Sequence, residues 1–403
     1  MDKSVERRRV KAIGLETFVF LALLLAGFGY IASIMGAGVM FKVIMSTAHD
    51  LLLNTVFLIM AMAVLAGALS ALLSEFGVIS LLNKLFAIFM KPLYGLPGAS
   101  IAGAITTYLS DNPAIISFSK DKAFTKYFKE YQVPALCNLG TSFGMGLIVT
   151  TFMISQGEEY VLPAIIGNIA AIIGSIVSVR IMLHFTKKFY LKNEESNSIE
   201  EVAVSLINED CKKNIQLEDS QEYREIRDGS IFQRVLDAML EGGKSGVELG
   251  LAIIPGVLIV CTLVMLLTFG PSVDPATGKE VYKGVAYEGI ALLPVIGEKL
   301  RFILEPMFGF TSSQAIAFPI TSLGAVGAAM SLVPKFIADN VITPNDIAVF
   351  TAMGMCWSGY LSTHVGMMDA LDARGLTSKA ILSHTIGGLC AGMAAHFIFV
   401  ILG

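Results

Sequence analysis

GASIAGAITTYLSDNPAIISF, residues 98–118, decides how the chain is read. It begins with small apolar residues, as a membrane helix does. At Tyr108-Leu109-Ser110-Asp111-Asn112-Pro113 it breaks, and then it turns apolar again. Pro113 has no backbone N–H to donate and biases Asn112 away from helix. Asp111 is ionisable and lies between two apolar arms, where a charge costs at least about 2.5–3.5 kcal/mol on insertion scales. Non-helical backbone at membrane depth is tolerated only where protein or a watery cavity covers it. Two readings follow. One is a re-entrant element with a polar tip, the usual form of a transporter site. The other is a short interfacial loop with Asp111 in water. The internal repeat below favours the first.

The surrounding chain is that of a membrane protein. Its 403 residues are 54% hydrophobic and 15% charged, with a mean hydropathy of +0.69. Several runs reach the roughly 20 apolar residues that a bilayer core requires of a helix. The expected class is an all-α polytopic membrane protein, since a β-barrel would show short alternating strands instead. Net charge is −4, and no basic stripe suits nucleic acid. The five cysteines form no CxxC pair and read as small core residues, not as a disulfide or zinc framework. HExxH is absent, and no GxSxG stands on a strand-to-helix turn, so an enzyme is not expected.

In chain order, residues 12–35 form a first crossing. Arg7, Arg8, Arg9 and Lys11 precede it and place the N-terminus in the cytoplasm by the positive-inside bias. Residues 50–74 cross again. Residues 78–94 carry Lys84 and Lys91 and stop near Pro92; they read as an amphipathic surface helix or as one more crossing. After the broken element, Lys120, Lys122, Lys126 and Lys129 favour the cytoplasmic side. Residues 133–154 cross outward and 161–186 cross back. The tract 191–230 holds eleven acidic and five basic residues and reads as a flexible cytoplasmic linker. Residues 232–269 are too long for one straight span. Their start is expected to be an interfacial turn rich in Gly242, Gly243 and Gly246, with a kink at Pro255. The loop 271–289 belongs outside. Residues 289–308 form an outer surface helix, 311–333 a second apolar run with a polar and glycine break, and 346–366 and 378–402 the last two crossings.

The two halves repeat. Lys91-Pro92-Leu93-Tyr94-Gly95 lines up with Glu305-Pro306-Met307-Phe308-Gly309, an offset of 214 residues (305 − 91). Without gaps, that offset carries Thr107 onto Thr321, Leu109 onto Leu323, Ala114 onto Ala328, Ser117 onto Ser331, Gly140 onto Gly354 and Leu147 onto Leu361. The expected organisation is residues 1–40 as cytoplasmic tail and first helix, 41–190 as repeat one, 191–230 as linker and 231–403 as repeat two. Each repeat has a surface helix, a re-entrant or broken hairpin and transmembrane helices. On this map repeat one starts outside and repeat two inside, so the repeats are inverted, a known route to alternating access. A parallel repeat would need 78–94 to span in one half only.

Candidate chemistry clusters at the breaks. Ser110, Asp111 and Asn112 offer a hydroxyl, a carboxylate and an amide, and Asp111 and Asn112 are candidate ion-coupling residues, since hard cations prefer oxygen ligands. The same pair also reads as a helix cap ahead of Pro113. Thr321, Ser322 and Gly324 mark the second break; helix packing through small residues is the alternative there. Asn138, Thr141 and Ser142, and Ser358, Ser362 and Thr363, lie on helices where polar side chains usually face the bundle interior. Each hydroxyl alone is equally explained by bonding its own backbone. His364 reads as an interfacial histidine or a proton shuttle. His384 and His396 share no helix face, so no metal site is expected there.

At these residues the chain resembles a known group. TTYLSDNPAIIS followed by KYFKEYQVPALCNLGTSFGMGLIVTTFM is similar to bacterial membrane proteins with the nucleoside-recognition or Gate domain, among them spore-maturation membrane proteins and the core of ferrous-iron transporters. The order of elements also resembles concentrative nucleoside transporters, with two re-entrant hairpins, two interfacial helices and partly unwound helices after each hairpin. The resemblance implies solute binding between Ser110–Asn112, Asn138–Ser142, Ser322–Gly324 and Ser358–Thr363, with Na+ or H+ as coupling ion and no other cofactor. The glutamine-and-glutamate signature of the nucleoside transporters is missing at the first hairpin, and their acidic residue is missing at the second. The expected function is a secondary transporter of a small polar solute, nucleoside-like solutes included, in the cell (inner) membrane, alone, as a homo-oligomer or beside a second Gate-type protein. The alternative is a Gate-type scaffold or partner subunit without transport of its own.

Overall fold

The structure, a computed structural model, describes residues 11–112, 114–119, 125, 127–197, 226–275 and 277–403. Arg7, Arg8, Arg9, Pro113, Lys120, Lys122, Lys126, Cys211 and most of the acidic tract lie outside the described residues. Among the described residues six helices are long and apolar enough to cross a membrane: Leu15–Met35, Ala37–Glu75, Glu130–Ser155, Glu158–Tyr190, Ile231–Thr268 and Arg374–Leu402. The protein is a multi-pass helical membrane protein.

Helix α1 (Leu15–Met35) is exposed along most of its length. Gly36, with φ 84°, turns the chain into α2 (Ala37–Glu75). The crossing expected over 50–74 is therefore the second part of a longer helix. At 1.5 Å per residue α2 runs about 58 Å, roughly twice the hydrocarbon thickness, and a π turn at Leu51–Val56 interrupts it. Its partner in packing is α9 (Ile231–Thr268). Gly242, Gly243 and Gly246 do not form an interfacial turn; they are buried inside one continuous helix. Gly242 meets the backbone of Gly67, Gly246 the backbone of Ala63 and Val64, and Gly250 the side chain of Met60. Glycine at every fourth position forms a flat stripe, and in lipid such stripes drive helix association because backbones can touch. Pro255 does sit beside an irregularity, the π turn Val257–Cys261.

Between these long helices lie the short elements. Helix α3 (Val78–Phe89) has no buried residue and exposes Leu81, Leu85, Phe86 and Ile88. Helix α10 (Leu292–Phe308) buries only Gly297 and Phe308. Neither run is among the six long apolar helices. The turns that follow them end at left-handed glycines, Gly95 (φ 75°) and Gly309 (φ 70°), which the 214-residue offset superimposes. Next come α4 (Ser100–Leu109) and α5 (Ala114–Ser119), which pack on each other and on α6 (Ala135–Thr141). The Ile115 side chain lies over Gly103 and Gly140 in that contact. Helix α7 (Gly146–Ser155) continues from α6 after an unwound stretch, and α8 (Val161–Asn197) returns.

After α9 a small antiparallel pair, β1 (Ser272–Val273) and β2 (Glu280–Val281), closes the loop, with Ser272 opposite Val281. The second half then gives α11 (Ala317–Ser322), α12 (Val326–Met330), α13 (Val333–Ala338), α14 (Pro344–Trp357), α15 (Tyr360–Ala370) and α16 (Thr377–Leu402). The crossing expected at 346–366 is thus two short helices. Every residue of α14 from Asn345 to Trp357 is buried. Phe318 of α11 stacks on Phe350 of α14, centroids 4.3 Å apart. Helices α8 and α16 approach as closely as α2 and α9, with Gly174 against Ala391 and the Gly387 carbonyl. Each close pair joins one helix from either half.

Outside the spans, Glu288 fastens the loop. It accepts from the Ser272 hydroxyl at 2.6 Å and from the Lys283 and Gly284 N–H groups. Burial works to raise its carboxyl, but the Ser272 hydroxyl and the N–H groups of Lys283, Gly284 and Val285 outweigh it and hold the group below the usual carboxylate range.

Two outcomes are expected. Gly246→Val forces a side chain into the α2 backbone and should cost about 1–3 kcal/mol or more, read as a lower unfolding midpoint in detergent. Gly27→Val, where nothing lies within 4 Å, should leave that midpoint unchanged. Because the Glu288 carboxyl is depressed in the fold, its stabilisation is present above the ordinary carboxylate value and lost as pH falls through the lowered one. Glu288→Gln should therefore speed amide exchange over 270–291 at neutral pH and make no difference once the native carboxyl is protonated.

Candidate functional site

Among the described residues four places leave the helix inside the fold: 110–112, 142–145, 323–325 and 358–359. Their backbone groups have lost intrahelical partners, and each such group costs several kcal/mol if left bare in lipid. The structure satisfies them by joining the breaks to one another. Asn112 is fully buried, and its Nδ2 donates to the Ser358 carbonyl at 2.6 Å across 246 residues of sequence. Gly359 N–H donates to the Ser322 carbonyl at 2.9 Å, and Leu361 N–H to the Leu323 carbonyl at 3.4 Å. The breaks at 110–112 and 323–325 are thereby both fastened to 358–361.

Local chemistry explains the shapes. Gly359 takes φ 71°, a left-handed conformation that costs glycine nothing. Its counterpart at the 214-residue offset is Met145, also left-handed at φ 55°. A side chain there costs about 1–2 kcal/mol, so the surrounding contacts impose the break. Gly144 stands opposite Ser358 under the same offset. A Cβ on Gly144 would collide with Asn112 Oδ1 and lie 3.0 Å from Ser358 Oγ. Asn112 is therefore inserted between Gly144 and Ser358, positions that the 214-residue offset pairs, and only glycine leaves it room.

Two oxygens converge there without partners among the described residues: Asn112 Oδ1 and Ser358 Oγ, both buried. Asp111, half-buried, accepts from the Asn112 N–H at 2.7 Å. The converging amide and hydroxyl oxygens are of the kind hard cations take. No group of three or more His, Cys, Asp and Glu among the described residues could hold a transition metal. Beside this junction Ser110 is exposed and lines a cavity of about 750 Å³, together with Thr106, Ser70, Asn83 and the ion-paired Glu75 and Arg227. Glu75 is held by Arg227 at 2.6 Å and Arg234 at 2.7 Å.

The other residues singled out from the sequence are placed differently. Thr141 and Ser142 bond back to the Cys137 and Asn138 carbonyls. Thr321, Ser322 and Thr363 do the same to Ala317, Pro319 and Gly359. At the second break the carbonyls of Ser322 and Leu323, not the hydroxyls, reach the junction. Gly324 is exposed, with its carbonyl against Gly359. Asn138 instead ties α6 to α8 and α16, donating to Ser178 Oγ and Ser383 Oγ at 2.9 Å each. The side chain of Ser362 lies outside the described residues.

Two arrangements were missed, the Tyr108 bond to Asn168 and the pairing of His364 with His384. Tyr108 lies over Gly146 and donates to Asn168 Oδ1 at 3.0 Å, and Asn168 donates to Thr150. His364, read from the sequence as an interfacial histidine or a proton shuttle, is fully buried within the protein, its ring 4.7 Å from that of His384. The two histidines come from different helices, so no local spacing joins them. The repeat offset, by contrast, could have placed the break at Gly144-Met145 opposite Ser358-Gly359.

With the geometry in place, the fold can be compared. The chain is similar to a solved structure of CNTnw, a concentrative nucleoside transporter, here a doubly substituted variant in an outward-facing state. The TM-score is 0.51 and the identity 14%, over 96% of this chain and 86% of that one. At that identity the likeness is one of fold. No protein-family model matches the chain, and no curated protein matches its sequence.

The junction predicts its own fragility. Asn112→Ala leaves the Ser358 carbonyl buried and unpaired and should cost about 1–3 kcal/mol. Gly144→Ala, which displaces the same amide, should cost at least as much. Both are read from unfolding midpoints in detergent, with Thr363→Val as a control of small effect.

Proposed function

We propose that the protein is a secondary active transporter of a small polar solute, working by alternating access between two inverted repeats. The observation that carries this reading is the junction at Asn112 and Ser358. Breaks from both halves meet there, and two buried oxygens remain open to a ligand. A fold held together for packing alone would have no use for that arrangement, because each uncompensated polar group is costly in a dry interior.

In this reading α4 and α5 form a re-entrant hairpin from the inner face, and α11 to α13 form its counterpart from the outer face. Helices α3 and α10 lie along the two surfaces. Solute sits at the junction among Asp111, Asn112, Ser358 and the main chain of 322–324. The 750 Å³ cavity beside Ser110 is the inner vestibule. Na+ or H+ is the coupling ion. Asp111 and Asn112 fit an oxygen-ligated cation there, which would screen the carboxylate while solute binds. The resemblance in fold to a nucleoside transporter puts nucleosides among the first solutes to test. The chain is read as lying in the cell membrane with its N-terminus in the cytoplasm.

Asp111→Asn should abolish uptake in proteoliposomes while the protein still inserts and elutes as a folded species. Full uptake with Asn at 111 removes Asp111 from the mechanism. A thermal-shift screen of solutes, with and without Na+ and across pH, should find a ligand that raises the midpoint. At a hundred times its Kd such a ligand adds about 2.7 kcal/mol.

A further inference from the structure

The break at 358–359 frees a third backbone group that the junction does not satisfy. Ordinarily the Cys356 carbonyl would accept from the N–H four residues on, at Tyr360. The chain has left the helix by then, and α14 ends with that carbonyl open. His384 of α16 fills the gap: its Nε2 bonds the Cys356 carbonyl, and its Nδ1 lies 2.9 Å from Ser178 Oγ. A carbonyl can only accept, so Nε2 carries the proton, and Nδ1 accepts from the Ser178 hydroxyl; this tautomer is assigned from the network. Ser178 is in turn held by Asn138 Nδ2 at 2.9 Å, and Asn138 also holds Ser383. The imidazole is fully buried and wedged by Tyr360, whose ring lies 5.1 Å away. The acceptor side of the imidazole is thus held by Ser178 of α8 and Asn138 of α6, and its ring packs against Tyr360 and His364 of α15.

We propose that His384 is a positioning residue: as a neutral imidazole it holds the unwound turn so that the Ser358 carbonyl faces Asn112, and thereby it sets the affinity of the solute site. The link from His384 to solute affinity rests on the transporter reading, whereas the link from His384 to the turn does not. Two measurements separate them. Amide exchange of the segment 358–363 is followed on the full-length protein in detergent, and uptake is followed in proteoliposomes. His384→Gln keeps a donor and an acceptor at nearly the same places, while His384→Leu keeps volume without either. His384→Leu should speed exchange of the segment at least about tenfold and raise the uptake KM about tenfold with Vmax within about twofold, as expected for one lost buried bond. His384→Gln should stay within about twofold of the native protein in both. Ser178→Ala, which removes one hydroxyl, should speed exchange by a few fold and serves if His384→Leu does not fold. Unchanged exchange in His384→Leu, or in Ser178→Ala where it stands in, overturns the proposal. So does a His384→Gln protein as fast as His384→Leu, because ring volume would then be the cause. If exchange follows the expectation and no form takes up solute, the positioning role stands and the transporter reading falls.

Discussion

The amide of Asn112 joins the two halves of this protein where their breaks meet. Asn112 donates to the Ser358 carbonyl at 2.6 Å in a fully buried place. An interhelical hydrogen bond in a membrane is worth little by itself, about 0.6 kcal/mol on average and at most about 1.7. The weight of this one comes from what it prevents. An unpaired carbonyl in a dry interior costs several kcal/mol, and the break at 358–359 exposes several backbone groups at once. Asn112, Ser322, Leu323 and His384 each satisfy one of them. Removing any of these partners leaves a bare group, and so the break is held by all of them together.

Long helices make that centre possible. Lipid offers no hydrophobic force between apolar helices, so close association depends on shape. Glycine stripes supply it twice, at Gly67 with Gly242 and Gly246, and at Gly174 with Gly387. Each pair takes one helix from either half and fixes a rigid wall. Against those walls the short helices α4, α5, α11 and α12 can end inside the fold, since their ends meet protein and not lipid. The polar chemistry at the centre is mostly main chain. Thr141, Ser142, Thr321, Ser322 and Thr363 spend their hydroxyls on their own helices, while carbonyls reach across.

Much of this could be read in the sequence, and the limits have physical causes. Asp111-Asn112-Pro113 announced a break because proline and a charge cannot continue a buried helix. The left-handed pairs Gly95 with Gly309 and Met145 with Gly359 fall at the 214-residue offset read from the sequence. What failed was direction. Sequence places a serine or threonine near a break but does not say whether it turns outward or back to its own carbonyl, and here it mostly turns back. Gly242, Gly243 and Gly246 suggested a turn because glycine is common in turns, yet a spacing of four marks a helix-packing stripe just as well. His364 and His384 lie twenty residues apart on separate helices, and only the tertiary fold brings them together. Met145 gives no local sign of a break, because its side chain disfavours the conformation it adopts, and only the offset to Gly359 points to it.

Whether the two interrupted segments enter from opposite faces is the claim on which the rest stands. Ser110 and Gly324 are both exposed at their breaks, which makes them suitable reporters. Each is replaced singly by cysteine in a protein lacking its five native cysteines, and labelled with a membrane-impermeant maleimide in oriented vesicles. The account predicts that Ser110→Cys reacts only from the cytoplasmic side and Gly324→Cys only from the other. Labelling of both from the same side would contradict it.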